Sequence, residues 1–261
     1  MQISHAPLID THTHLYSAEF ATERVEVVQR AVAAGVYNML LPNIDANSIE
    51  ALHQMLTDFP AHCRGMMGLH PCAVHQDYKK SLHAIENQLS LFKGYVGVGE
   101  IGLDYYWDTQ WKDCQKHAFA TQLDWAKNLG LPVSIHSRES FDDALALLAQ
   151  AQDGRLSGVF HCFGGELTQA MKIIDQGFML GIGGVSTYKN ASHSRVLPFV
   201  DMSRIVLETD SPYLSPQPKR GKVNESAFLP YVAQHLATIY KTDYDTIASI
   251  TTQNAIQLFK L

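Results

Sequence analysis

Two histidines separated by one residue, His12 and His14 in LIDTHTHL, close an apolar run near the start of the chain. Side chains at i and i+2 of an extended strand project to one face, so the two imidazoles are expected to stand together and grip one metal ion. On spacing alone they are equally well a pair of partly exposed loop histidines, and further ligands must come from elsewhere. Residues of that kind recur: His70 in GLHP, Glu100 and Asp104 in GEIGLD, His136 in SIHS, His161 in VFHCF, and Glu208 and Asp210 in VLETDSP. Each ends a short β-rich segment.

Those segments are the elements that must position the chemistry. Apolar, β-rich runs occur at 8–14, 38–44, 64–71, 95–104, 132–137, 158–163, 178–184 and 204–212, and stretches with helical periodicity lie between them. In TERVEVVQRAVAAG (22–35), Val25, Val28, Ala31 and Val32 make an apolar stripe and Gly35 supplies a stop. Strands alternating with helices imply parallel βαβ units. Eight units in this length predict an α/β fold, a single TIM (β/α)8 barrel over 1–261, closed outside by helices at 224–241 and 243–260. No Pro/Gly/Ser-rich linker or low-complexity block divides it.

In such a barrel the carboxyl ends of all strands open on one rim, where active sites form. His12, His14, Glu100, His136, His161 and Asp210 are therefore expected to converge as metal ligands. Five or six ligands exceed what one tetrahedral zinc takes, so a bridged pair of divalent ions is the reading. Glu100 is the expected bridge, with His12, His14 and Asp210 on one ion and His136 and His161 on the other. The mixed nitrogen and oxygen set suits Zn, Mn or, less naturally, Mg. His70 is placed as a substrate-contacting or supporting group and Glu208 as a partner of a neighbouring ligand, whereas His53, His62, His83 and His235 fall in helical or loop stretches. The run GVGEIG matches G-x-G-x-x-G, but it lies inside a strand and contains Glu100, so it is not a dinucleotide loop. No Walker A or G-x-S-x-G motif occurs.

Composition narrows the class. The chain has 261 residues, 46% of them apolar and 18% charged, and a formal charge of −6. That charge argues against nonspecific wrapping of a long duplex, though not against local binding of a short strand. No apolar run approaches roughly 18 residues and no basic n-region opens the chain, so a cytoplasmic, non-membrane protein is expected. Cys63, Cys72, Cys114 and Cys162 show no C-x-x-C spacing and are expected as reduced thiols. Cations gather after the strand ends: Arg138, Lys189, Arg195, Lys219, Arg220 and Lys222, beside the aromatics Tyr105, Tyr106, Trp107, Phe163 and Tyr188. Positive charge beside a metal pair favours an anionic substrate, and the rings offer stacking surfaces.

Together DTHTHL, GLHP, GEIGLDY, IHSRES, HCF and LETDSPYL resemble the TatD family of metal-dependent deoxyribonucleases, from Ile9 to the C-terminal helices. The resemblance implies a metallo-dependent hydrolase barrel with metal sites at His12, His14, Glu100, His136, His161 and Asp210. It also implies phosphodiester hydrolysis, often as a 3′ to 5′ exonuclease. After the eighth strand RGKVNES keeps Arg220, Asn224 and Glu225 of the family pattern and has Ser226 where Pro is common.

The expected mechanism assigns Asp210 as general base, Glu100 as the catalytic bridge, and Arg138 or Arg220 as phosphate clamps, with His70 beside them. DNA or other nucleic-acid ends are the expected partners, and no obligate protein partner is indicated. A second reading keeps the barrel and changes the bond: an amidohydrolase or deaminase acting on a small cyclic or nucleobase substrate. Glu100 at the bridging position and the cationic, aromatic rim favour the phosphoester. A third reading, a metal-stabilised binding protein without turnover, is opposed by the presence of every inferred ligand.

Overall fold

A computed structural model describes residues 6–261; residues 1–5, the start of the expected 1–261 domain, lie outside them. The first half alternates β1 (Leu8–Asp10), α1 (Arg24–Ala33), β2 (Val36–Pro42), α2 (Ile49–Asp58), β3 (Cys63–Met66), α3 (Tyr78–Leu91), β4 (Val98–Asp104) and α4 (Lys112–Leu129). The second half continues with β5 (Val133–Arg138), α5 (Phe141–Ala151), β6 (Gly158–Phe160), α6 (Leu167–Asp175), β7 (Met179–Ile182), the short α7 (His193–Val196) and β8 (Ile205–Leu207). Helices α8 (Leu229–Tyr240) and α9 (Tyr244–Phe259) follow. All strand pairs are parallel, in the orders β1-β2-β3 and β4-β5-β6-β7-β8.

Backbone hydrogen bonds join the two sheets at both seams. Val96 N–H donates to Gly65 O at 2.9 Å and Gly99 N–H to Met67 O at 3.2 Å, linking β3 to β4. Thr11 N–H donates to Leu207 O at 3.0 Å, and Asp210 N–H to His12 O at 2.9 Å, linking β8 to β1. The eight strands thus run as the expected TIM barrel.

Strand alternation sorts the core into two parts. Ile9, Leu40, Met66, Val159 and Val206, one from each of five strands, pack together with Ala255 and Phe259 of α9, so this helix covers one end of the inner cluster. Their strand neighbours Leu8, Met39, Leu41, Phe160 and Leu207 belong to the larger cluster against the helices. One expected stripe is corrected: α1 buries Val27, Val28 and Ala31, while Val25 is 50% exposed. The helix is rotated so that the pair Val27/Val28 meets the sheet.

The glycines of GVGEIG serve packing within β4. Gly102 has φ +138, and a Cβ there would lie 2.0 Å from His136 O, so β4 and β5 approach at a distance only glycine allows.

Candidate metal centre

Six of the eight strands are shorter than their apolar runs, and most of the expected ligands stand just past the strand ends. β1 ends at Asp10, two residues before His12. His70, His161 and Asp210 likewise follow the ends of β3, β6 and β8, whereas Glu100 and His136 remain inside β4 and β5. The two-residue strand rule therefore does not describe His12 and His14; their rings meet edge to face at 77°, with the Nε2 atoms 3.3 Å apart. The turn at Asp210 takes φ +56, a left-handed conformation that Asp tolerates better than most side chains.

Glu100, 3% exposed, lies at the centre with a different set of imidazoles on each oxygen. Its Oε2 is 3.0 Å from His12 Nε2 and 3.5 Å from His14 Nε2. Its Oε1 is 2.9 Å from His136 Nδ1, 2.7 Å from His161 Nε2 and 3.2 Å from His70 Nε2. Asp210 Oδ1 closes the first set, 3.5 Å from His14 Nε2 and 3.8 Å from His12 Nε2. Three metal-competent groups result: His12, His14 and Asp210; His12, Glu100 and His161; and His70, Glu100 and His136.

In His12, His14 and His136 the nitrogen turned away from the cluster is engaged, which decides what the facing nitrogen can do. His12 Nδ1 meets Ser134 Oγ at 3.0 Å, His14 Nδ1 meets Tyr16 OH at 3.1 Å, and His136 Nε2 meets Asp104 Oδ2 at 2.8 Å. Such partners hold ring orientation and tautomer in metal sites. His161 Nδ1 lies 3.7 Å from Glu208 Oε1, too far for a hydrogen bond. Tyr16 OH itself donates to Pro42 O at 2.5 Å, which fixes its direction. His70 differs: its Nδ1 accepts the Cys72 N–H at 3.0 Å, so the neutral ring carries its proton on Nε2 and points a donor, not a lone pair, at the cluster.

The donor set fits a divalent cation. His136 Nδ1 and His161 Nε2 are 3.2 Å apart, and His12 and His14 Nε2 are 3.3 Å apart. Metal–nitrogen bonds of about 2.0–2.1 Å place neighbouring ligands about 3.0–3.4 Å apart, so both pairs are spaced as two donors on one ion. Electrostatics agree. Burial pushes the Glu100 carboxyl up, but His161, His70 and His12 override it and hold it well below the usual carboxylate range. Burial likewise opposes ionisation of Asp210, and the His14 hydrogen bond and neighbouring imidazoles still hold it down.

A cavity of about 530 Å³ exposes this cluster to solvent, bounded by His70, Cys72, Trp107, Arg138, Tyr213 and Leu214. Arg138 stacks 3.6 Å from the Tyr106 ring centroid, and among the described residues no carboxylate pairs with it. Arg220 does not line this cavity; it lies 4.3 Å from the Tyr188 centroid. Asn224 is a clamp, its Nδ2 donating to Thr209 O at 2.8 Å and Tyr213 O at 2.6 Å on either side of Asp210. Ser226, in place of proline, is buried with its Oγ 3.4 Å from Thr13 Oγ1. The sequence reading missed Ser134, Tyr16 and the clamp role of Asn224. Ser134 alone carried a signal, two residues before His136 on the same face of β5.

No helix among the described residues is long and apolar enough to cross a membrane. Residues 9–260 match the family model described as TatD related DNase. An uncharacterized metal-dependent hydrolase, YabD of Bacillus subtilis, is 35% identical over 97% of this chain and 99% of its own length. The 3′-5′ ssDNA/RNA exonuclease TatD of Salmonella typhimurium is 31% identical, over 97% and 99%. The crystal structure of YJJV, a TatD homolog from Escherichia coli k12, superposes with a TM-score of 0.91 at 29% identity, covering 97% of this chain and 98% of that one.

Proposed function

The chain belongs to the TatD family of metal-dependent hydrolases, and from that premise we propose that it removes nucleotides from the 3′ end of single-stranded nucleic acid by hydrolysing phosphodiester bonds at a two-metal centre. One observation carries the reading: the two oxygens of Glu100 face separate imidazole sets. A carboxylate placed this way would serve two ions when they are bound, with His12, His14 and Asp210 able to hold one and His136 and His161 the other.

When bound, Zn, Mn or Mg ions supply charge stabilisation at the phosphoryl oxygens and a water acidified enough to attack. The protein's own groups do the rest. Asp210 accepts the attacking water's proton; its depressed pKa keeps it ionised and ready at neutral pH. Arg138, stacked on Tyr106 and paired with no carboxylate among the described residues, orients a phosphate oxygen through its N–H edge. His70 lines the cavity with its Nε2–H turned to Glu100 Oε1 at 3.2 Å, where an incoming substrate oxygen can share it, and is a binding group, not a ligand. Arg220, outside the cavity wall, contacts the strand beyond the reacting phosphate.

The test uses metal-stripped protein and a 5′-labelled single-stranded oligonucleotide, with Mg, Mn or Zn restored in turn and Asp210→Asn alongside. A metal-dependent ladder shortening from the 3′ end, absent in the variant, is expected. No cleavage with any ion, while elemental analysis shows the sites filled, overturns the nuclease reading in favour of a small-molecule hydrolase.

A further inference from the structure

A second cavity, of about 640 Å³, opens between the starts of α5 and α6. It lies directly across Arg138 and His161 from the metal-bearing cavity, since both residues line both spaces. Its volume falls within the roughly 300–1,000 Å³ of sites for small organic ligands. Nothing in the mechanism above uses it.

Its walls specify an occupant. Rings come from Tyr105, Phe141 and Phe163, and polar groups from Ser137 and Gln169, the mixture that a flat heteroaromatic ring requires. The charges are one cation, Arg138, against Glu139, Asp142 and Asp143. Asp143 is held by Lys116 at 2.7 Å and by Tyr105 OH at 2.7 Å, which leaves the other two acids to repel anions. A phosphate is therefore kept on the Arg138 side, and an uncharged base is admitted beyond it.

Resting on the nuclease reading, we propose that this cavity binds an unpaired nucleobase of the strand whose phosphodiester lies at the Glu100 cluster. Arg138 is the partition: its guanidinium takes the phosphate while the attached base passes into the cavity. The site thereby selects strands in which that base is free of a partner and of its stack. Single-strand preference then arises from geometry next to the metals.

Gly164 allows a clean test. It is exposed, lines the cavity, and has φ outside the left-handed region; a Cβ there meets nothing nearer than His193 Cε1 at 4.0 Å. Gly164→Leu adds a branched side chain at the cavity wall to narrow the space, and Gly164→Ala controls for the backbone. The substrates are 5′-labelled DNA strands, unmodified or carrying a tetrahydrofuran abasic residue at the 3′-terminal or the penultimate position. Wild type is expected to lose about tenfold in kcat/KM at one of these two positions, in the range for one lost stacking contact. Gly164→Leu should show that same loss on the unmodified strand and none further on the abasic one, while Gly164→Ala stays within about twofold of wild type. Wild-type rates of Gly164→Leu on the abasic strand report an intact fold and cluster. Equal cleavage of the unmodified strand by Gly164→Leu and wild type, or losses that multiply, overturns the subsite and leaves the nuclease reading standing. Failure of wild type to cleave any strand overturns both.

Discussion

Replacing Asp104 by Asn exchanges one oxygen for an amide nitrogen, and the surroundings dictate which. Asp104 Oδ1 accepts the backbone N–H groups of Tyr106 at 2.9 Å and Trp107 at 3.3 Å, so the asparagine carbonyl must stay there. The new NH2 then faces His136 Nε2, 2.8 Å away in the native protein. Two donors cannot face each other, so His136 moves its proton to Nδ1, the atom that points at Glu100 and His161. One lone pair is lost from the metal centre. Against the upward push of burial, the His136 hydrogen bond holds the Asp104 carboxyl at about 2, compared with 3.8. Losing the partner that orients a metal-bound histidine costs about 10- to 100-fold in metal affinity. Calorimetric titration of metal-stripped Asp104→Asn with Mn²⁺ should show one binding event weakened about 10- to 100-fold and the other changed by less than about threefold. Asp104→Ala should be milder, because water can accept the Nε2–H and the productive tautomer survives; imidazole ¹⁵N shifts report the tautomer directly. Native affinity for both ions in Asp104→Asn, or a larger loss in Asp104→Ala, would refute the tautomer argument.

Two further outcomes follow from buried groups around the ligand loops. Burial pushes the Asp10 carboxyl up to about 7, against hydrogen bonds from Thr209, Ser226 and His12 N–H. With a folded pKa above the unfolded 3.8, its contribution is fully present below about pH 4 and lost as pH rises through about 7, on the order of 4 kcal/mol. Urea unfolding of metal-free protein should show wild type losing stability relative to Asp10→Asn across pH 4–7, and parallel curves would contradict the shift. Asn224→Ala leaves a buried carbonyl at Thr209 and a partly buried one at Tyr213, on either side of Asp210, without donors. A cost of about 3 kcal/mol, a Tm lower by about 6–10 °C and weaker metal binding are expected; a Tm unchanged within a degree would show that the clamp carries no stability.

The barrel was legible because each strand is an apolar run followed by a helix-periodic stretch, and all eight strands occur where the runs do. Their ends were not. A run such as LIDTHTH continues with β-compatible residues, yet pairing stops at Asp10, where the chain leaves the sheet to reach Ser211 and Leu40 by single hydrogen bonds. Periodicity also failed at Val25, since three apolar positions on neighbouring faces of α1 leave the rotation to the sheet it packs on.

The candidate site divides along a similar line. Residue type at strand ends marked His12, His14, Glu100, His136, His161 and Asp210, and the structure brings their donor atoms together. What type and position could not supply is the tautomer of a ring whose partner comes from another strand: Ser134 of β5 for His12 and Asp104 of β4 for His136. A histidine's two nitrogens are distinct, and which of them carries the proton is set by the hydrogen bond the other makes. The same ring type therefore turns a lone pair to the cluster at His136, whose Nε2 meets a carboxylate, and a donor at His70, whose Nδ1 accepts a backbone N–H. Fold topology thus assigns the chemistry twice, first by gathering the imidazoles at one rim and then by choosing which face of each ring the substrate and the metals meet.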